Sequence, residues 1–107
     1  MTWSEVEGGV LTSPVPVTSG EQVTIRYNGL LASSGADTVY LHVGYGPSYS
    51  WKNTKDIPMK RTPEGFEASF KAEANDRLNF CFKDGADNWD NNNGKDWSYT
   101  IHNGRQF

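Results

Sequence analysis

The fold is decided by the stretch QVTIRYN at residues 22–28, in which apolar and polar side chains alternate. On an extended chain Val23, Ile25 and Tyr27 share one face, and the polar residues between them share the other. This period of two is typical of a β-strand with one buried face.

The same alternation recurs along the chain, and no stretch sustains the three- and four-residue spacing of an amphipathic helix. The further strands predicted are Val10–Ser13, Thr38–Gly46, Ile57–Arg61, Gly65–Ala72, Arg77–Asp84 and Trp97–His102. The inward residues predicted for the longer ones are Val39, Leu41, Val43, Phe66, Ala68, Phe70, Leu78, Phe80, Phe82, Tyr99 and Ile101. The sequence therefore predicts an all-β fold, an immunoglobulin-like β-sandwich of about seven antiparallel strands.

Length and charge limit the class of protein. The chain has 107 residues, which predicts a single domain over residues 1–107. Its net charge of -3 argues against a nucleic-acid partner, because such proteins usually carry a basic surface. No apolar run approaches the ~20 residues of a membrane-spanning helix, and no basic amphipathic helix is visible, so no membrane partner is predicted.

The first residues and the single cysteine bear on the compartment. The N-terminal sequence lacks the basic and apolar regions of a signal peptide, which leaves a cytoplasmic protein or a module of a longer secreted one. Cys81 alone forms no intrachain disulfide, and its place in an alternating strand predicts a buried, unreactive thiol.

The loop from Asp84 to Asp96 concentrates acids and amides around Trp89, and three interpretations compete. Its spacing fails the EF-hand pattern, so an irregular calcium cage stays open but no cofactor is predicted. Asp87 and Asp90 are candidates for the paired carboxylates of a glycoside hydrolase, although a domain this small offers little cleft. In the third interpretation the loop binds a sugar.

A pyranose ring needs flat aromatic surfaces for its C–H face and short polar side chains for its hydroxyls. Trp89 beside the Asn run supplies both. A second loop, predicted over Tyr45–Lys55, carries Trp51, and alternation in the strand Thr38–Gly46 before it points His42 away from the core. Two aromatic loops and an outward histidine favour sugar binding over a solvated turn.

These motifs resemble a starch-binding carbohydrate-binding module of family 25. The resemblance rests on VYLHVGY at residues 39–45, Trp51, LNF at residues 78–80, FKDG at residues 82–85, NWDNNNG at residues 88–94 and DWSY at residues 96–99. It implies a non-catalytic β-sandwich that binds α-1,4-glucans such as starch, glycogen and maltooligosaccharides, possibly beside an appended amylase-type enzyme. The implied binding residues are His42, Trp51 and Trp89, with Asn91 and Asn92 as hydrogen-bonding amides.

Two rivals remain beside this interpretation. One is a protein-interaction sandwich whose exposed aromatic residues pack against another chain. The other is a small glycoside-active enzyme that uses Asp87 and Asp90. Trp97, which opens the last predicted strand, is expected to be a packing residue.

Overall fold

The computed structural model describes residues 4–47, 49–73 and 77–102. Within them the chain forms short strands and one helical turn. In chain order these are β1 (Ser4–Val6), β2 (Val10–Ser13), β3 (Val17–Thr18), β4 (Gln22–Tyr27), α1 (Leu30–Ser33), β5 (Val39–Tyr45), β6 (Lys52–Pro58), β7 (Lys60–Thr62), β8 (Gly65–Lys71), β9 (Arg77–Asp84), β10 (Trp89–Asp90) and β11 (Trp97–His102). No helix among these residues is long and apolar enough to span a membrane.

The strands form two sheets that pack as a β-sandwich, which confirms the predicted fold class. The first sheet has the order β1-β2-β4-β8-β7, and the second has the order β3-β11-β9-β5-β6 with β10 paired to β9. All pairs are antiparallel except β3 and β11, which run parallel. Sandwich geometry leaves the outer face of each sheet free to carry a site.

The core lies between the sheets and consists largely of the inward residues that alternation predicts. Strands β4, β5 and β9 contribute most of it, with Val23, Ile25, Tyr27, Val39, Leu41, Val43, Leu78, Phe80 and Phe82 almost fully buried. The rings of Tyr27 and Phe82 stack with centroids 3.9 Å apart. Trp97 is also buried, as expected, and packs against Phe80 and Phe82. Phe70 and Tyr99 are only half-buried at the margin of the core.

Several predictions about the elements were wrong. The described residues form eleven strands rather than about seven, because β1, β3 and β10 are too short to show alternation. The predicted strand Ile57–Arg61 straddles two strands of different sheets, since β6 ends at Pro58 and β7 begins at Lys60. The first half of β6 was predicted as loop because its side chains are exposed and polar.

Candidate functional site

Three aromatic rings meet on the outer face of the second sheet. His42 lies on β5, where the inward direction of Leu41 and Val43 turns its side chain outward. Its imidazole centroid lies 5.6 Å from that of Trp51 and 5.2 Å from that of Trp89. The structure therefore brings together His42, Trp51 and Trp89, which we call the three-ring cluster.

The cluster is bent rather than flat. The Trp51 ring is inclined by 26° to the imidazole, whereas the Trp89 ring stands at 90° to it. The two indole planes are therefore steeply inclined to each other. Trp89 is 46% exposed, and Trp51 is half-buried against the core. This surface presents two aromatic planes that face different directions.

A glycine seats Trp51 on the sheet. A Cβ atom at Gly44 would lie 2.9 Å from Trp51 Cβ and 3.0 Å from Trp51 Cε3. The pairing of β5 with β6 is irregular between Val43 and Tyr45, next to this contact. The absence of a side chain at Gly44 thus lets the indole lie directly on the backbone of β5.

Trp89 is held by its neighbour Asp90, which is buried. Asp90 Oδ2 accepts a hydrogen bond of 2.5 Å from the Tyr27 hydroxyl, and Asp90 Oδ1 accepts one of 3.2 Å from Asn92 N. The Tyr27 hydroxyl in turn accepts a bond from Leu31 N of α1. Burial, together with the bond to Asp90, raises the pKa of Tyr27, so this phenol stays protonated and keeps donating. Trp89 is therefore tied to the core and to the helix.

Asp56 completes the site and was not predicted from the sequence. His42 Nδ1 lies 2.6 Å from Asp56 Oδ1, and Lys83 Nζ lies 2.9 Å from Asp56 Oδ2. A carboxylate only accepts hydrogen bonds, so His42 Nδ1 carries a proton and donates to Asp56, and Nε2 is the imidazole nitrogen left for a ligand. The Lys83 ammonium also lies 5.4 Å from the centroid of the Trp89 ring.

The charge of Asp56 is kept by its partners. Burial alone would raise the pKa of the Asp56 carboxyl, but the hydrogen bonds and charges of His42 and Lys83 outweigh burial and lower it. Asp56 reaches the site because it pairs directly with His42 between β6 and β5. The sequence does not show this pairing, because the segment up to Lys55 was predicted as loop and the register between the strands was unknown.

Asn91 and Asn92 lie in the turn that follows β10, and their hydrogen bonds stabilise that turn and join it to Glu7. Asn91 Oδ1 accepts a bond of 3.0 Å from Gly94 N. Asn92 Nδ2 donates to Glu7 Oε1 at 2.8 Å and to the Asp96 carbonyl at 3.3 Å. The structure therefore places both amides beside the loop backbone rather than in hydrogen bonds with the three-ring cluster.

The thiol of Cys81 lies beneath the cluster. Cys81 pairs with His42 across β9 and β5, so its side chain is on the outer face, yet it is only 4% exposed. Burial, reinforced by the nearby carboxylates of Asp96, Asp56 and Asp90, raises its pKa to about 12. The prediction that this thiol is buried is confirmed, and its raised pKa keeps it protonated near neutral pH.

The acidic loop has a structural role in this arrangement. Asp84 accepts hydrogen bonds from the backbone of Ala86 and from the backbone and side chain of Asn88, which form the turn. Asp90 is locked to Tyr27, so its carboxylate does not face a substrate as a hydrolase pair requires. Within the described ranges, no three residues among His, Cys, Asp and Glu are arranged to hold a metal ion.

Comparison with known proteins defines the class. Residues 23–80 match the model of the starch/carbohydrate-binding module family 53. This match spans more than half of the chain, so the protein belongs to that family. An alpha-amylase of Clostridium acetobutylicum is 42% identical over 82 residues, which are 75% of this chain and 10% of that enzyme. The chain thus spans about a tenth of the relative's length, and no solved structure matches it significantly.

The family assignment corrects one prediction and confirms two. The chain belongs to family 53 of carbohydrate-binding modules and not to family 25. The site motifs in the sequence indicate a starch-binding surface, and they do not distinguish between the two families. The class of starch-binding module is confirmed, and modules of this family are non-catalytic. The match includes His42, Trp51 and Asp56 but ends before Trp89.

Proposed function

We propose that the three-ring cluster is the surface with which this starch/carbohydrate-binding module holds α-1,4-glucans. The observation that carries the proposal is the steep inclination of the two indoles about His42. Consecutive glucose rings of an α-1,4-linked chain turn relative to each other, so two inclined indoles can each stack on one of them. A flat β-1,4-linked chain would reach only one indole at a time.

Polar groups around the cluster match the hydroxyls at the edge of a glucose ring. His42 Nε2 accepts a hydrogen bond from a hydroxyl while Asp56 holds Nδ1. Asn91 engages its amide oxygen in the turn and keeps its amide nitrogen for a ligand oxygen. Asn92 donates from its amide nitrogen to Glu7 and to the Asp96 carbonyl, which leaves its amide oxygen for a ligand hydroxyl. These donors and acceptors orient the sugar, and stacking supplies contact area.

The affinity of one such site is modest. Each stacked ring contributes about 0.5–1.5 kcal/mol, and each hydrogen bond replaces one made with water. We therefore propose that the chain acts as one module whose binding is strengthened by linkage to further modules or to an amylase-type enzyme. The similarity to a tenth of an alpha-amylase supports such an enzyme partner.

Affinity electrophoresis tests the proposed function. In a native gel that contains amylopectin, the protein should migrate more slowly than in a plain gel, whereas hydroxyethyl cellulose should leave its mobility unchanged. The carbohydrate-free gel controls for mobility that depends only on charge and size. Equal mobility in all three gels would overturn the proposal and favour the protein-interaction alternative.

A further inference from the structure

A second surface feature lies directly beside the three-ring cluster. It is a groove of about 380 Å³ between helix α1 and strand β10. This size falls within the range of about 300–1,000 Å³ that is usual for small-molecule sites. Its lining residues are Leu30, Leu31, Ser34, Asp84, Asn88 and Trp89.

The groove is continuous with the cluster through Trp89. The same indole lines the groove and lies 5.2 Å from the imidazole of His42. Leu30 is 60% exposed and lines the same groove as Trp89. An apolar surface therefore continues past Trp89 toward α1.

The chemistry of the groove fits a neutral polyhydroxyl ligand. Leu30 offers an apolar contact for the C–H face of a sugar, and Asn88 has an amide oxygen left after its nitrogen binds Asp84. The hydrogen bonds from Asn88 and the loop backbone lower the pKa of Asp84, so its carboxylate stays charged and accepts hydrogen bonds. None of the six lining residues is basic, which argues against a phosphate or another anion.

We propose that this groove binds a further glucose unit of the same α-glucan chain, next to the unit that stacks on Trp89. The inference rests on the proposed function of the three-ring cluster. It extends the site in one direction, toward Leu30 and Asn88, and makes affinity depend on chain length. A short oligosaccharide fills the three-ring cluster alone, whereas a longer one also fills the groove.

Calorimetric titration with maltotriose and maltoheptaose tests the groove. Leu30→Ser should weaken maltoheptaose binding about three- to ten-fold, because the apolar contact is lost, and should change maltotriose binding less than about two-fold. Leu30→Met, which keeps an apolar side chain, is the matched control and should retain the wild-type affinity for both. Thermal unfolding of the variants checks that the fold is retained.

The outcomes separate the groove from the cluster. If Leu30→Ser leaves both affinities unchanged, or weakens both by the same factor, the groove is not a glucan subsite and the proposal is overturned. If the wild-type protein binds neither oligosaccharide, the proposed function itself fails, and the inference falls with it. Selective loss of the longer ligand's affinity supports the inference.

Discussion

His42 Nδ1 and Asp56 Oδ1 lie 2.6 Å apart on neighbouring strands, although fourteen positions separate the two residues in the sequence. This contact sets which imidazole nitrogen carries the proton and thereby which nitrogen faces a ligand. Lys83 binds the other oxygen of the same carboxylate and lies against Trp89. Asp56 thus connects His42 to Trp89 through Lys83.

Removal of the carboxylate tests this link. Asp56→Ala should weaken binding of maltooligosaccharides by about 1 kcal/mol, because His42 loses its orientation and Lys83 loses its partner. Titration followed by tryptophan fluorescence measures the affinity. Glu73→Gln, which removes the exposed ion pair with Lys55 beyond the cluster, is the control and should bind like the wild type. Unchanged affinity in Asp56→Ala would show that His42 needs no positioning.

The two indoles of the cluster should matter for binding more than for folding. Trp51→Ala and Trp89→Ala should each weaken binding by about 1–3 kcal/mol, as truncated aromatic contact residues do. Trp89→Ala should lower the free energy of unfolding least, since Trp89 is the more exposed of the two. Urea denaturation and ligand titration on the same samples provide both quantities.

Trp97→Ala is the matched control for these variants. Trp97 is 4% exposed, packs against Phe80 and Phe82, and donates from Nε1 to the Glu7 carbonyl. Its loss should cost about 3–5 kcal/mol of stability, the usual cost of removing a buried large aromatic residue. A destabilisation of Trp89→Ala as large as that of Trp97→Ala would show that Trp89 is part of the core.

How far the fold could be predicted depends on the length and burial of each strand. Alternation in β4, β5 and β9 predicted both their positions and their inward residues, because these strands have one face against the core. Strand β6 has mostly exposed side chains and lies at the sheet edge, so it carries no such pattern. The two-residue strands β3 and β10 depend on tertiary pairing alone.

The sequence could predict those site residues whose side-chain direction follows from alternation within one strand, or which stand out as aromatic residues in a polar loop. The outward direction of His42 followed from its neighbours in β5, and the two indoles stood out in polar loops. The contribution of Asp56 and Lys83 depends on the register between β5, β6 and β9, which no local pattern reveals. The run of asparagines likewise left open which amide serves the turn, a question that requires the hydrogen bonds of Asn91 and Asn92.

Asp96 provides a prediction for the pH dependence of stability. Burial raises its pKa, with a smaller opposing effect from His42, so the native state holds its proton more tightly than the unfolded chain. Between the ordinary value of 3.8 and the raised native value, this group makes stability fall as pH rises. Its positive φ of 57° also favours asparagine.

Asp96→Asn should therefore raise the melting temperature at pH 7, and most of the gain should disappear near pH 3, where the native carboxyl is protonated. Thermal unfolding across this pH range checks the sign. Asp37→Asn, at a highly exposed carboxylate, is the control and should show little effect. A lower melting temperature of Asp96→Asn at pH 7 would mean that the charge of Asp96 stabilises the fold.

The two inclined indoles, Trp51 and Trp89, should select a glucan whose consecutive glucose rings turn relative to each other. Calorimetric titration of the wild-type protein with maltotriose and cellotriose tests it directly, because the two ligands share size and composition and differ in the linkage. We expect saturable binding of maltotriose, weaker binding of maltose, and no measurable heat with cellotriose. Equal affinity for the two trisaccharides, or a preference for cellotriose, would contradict it.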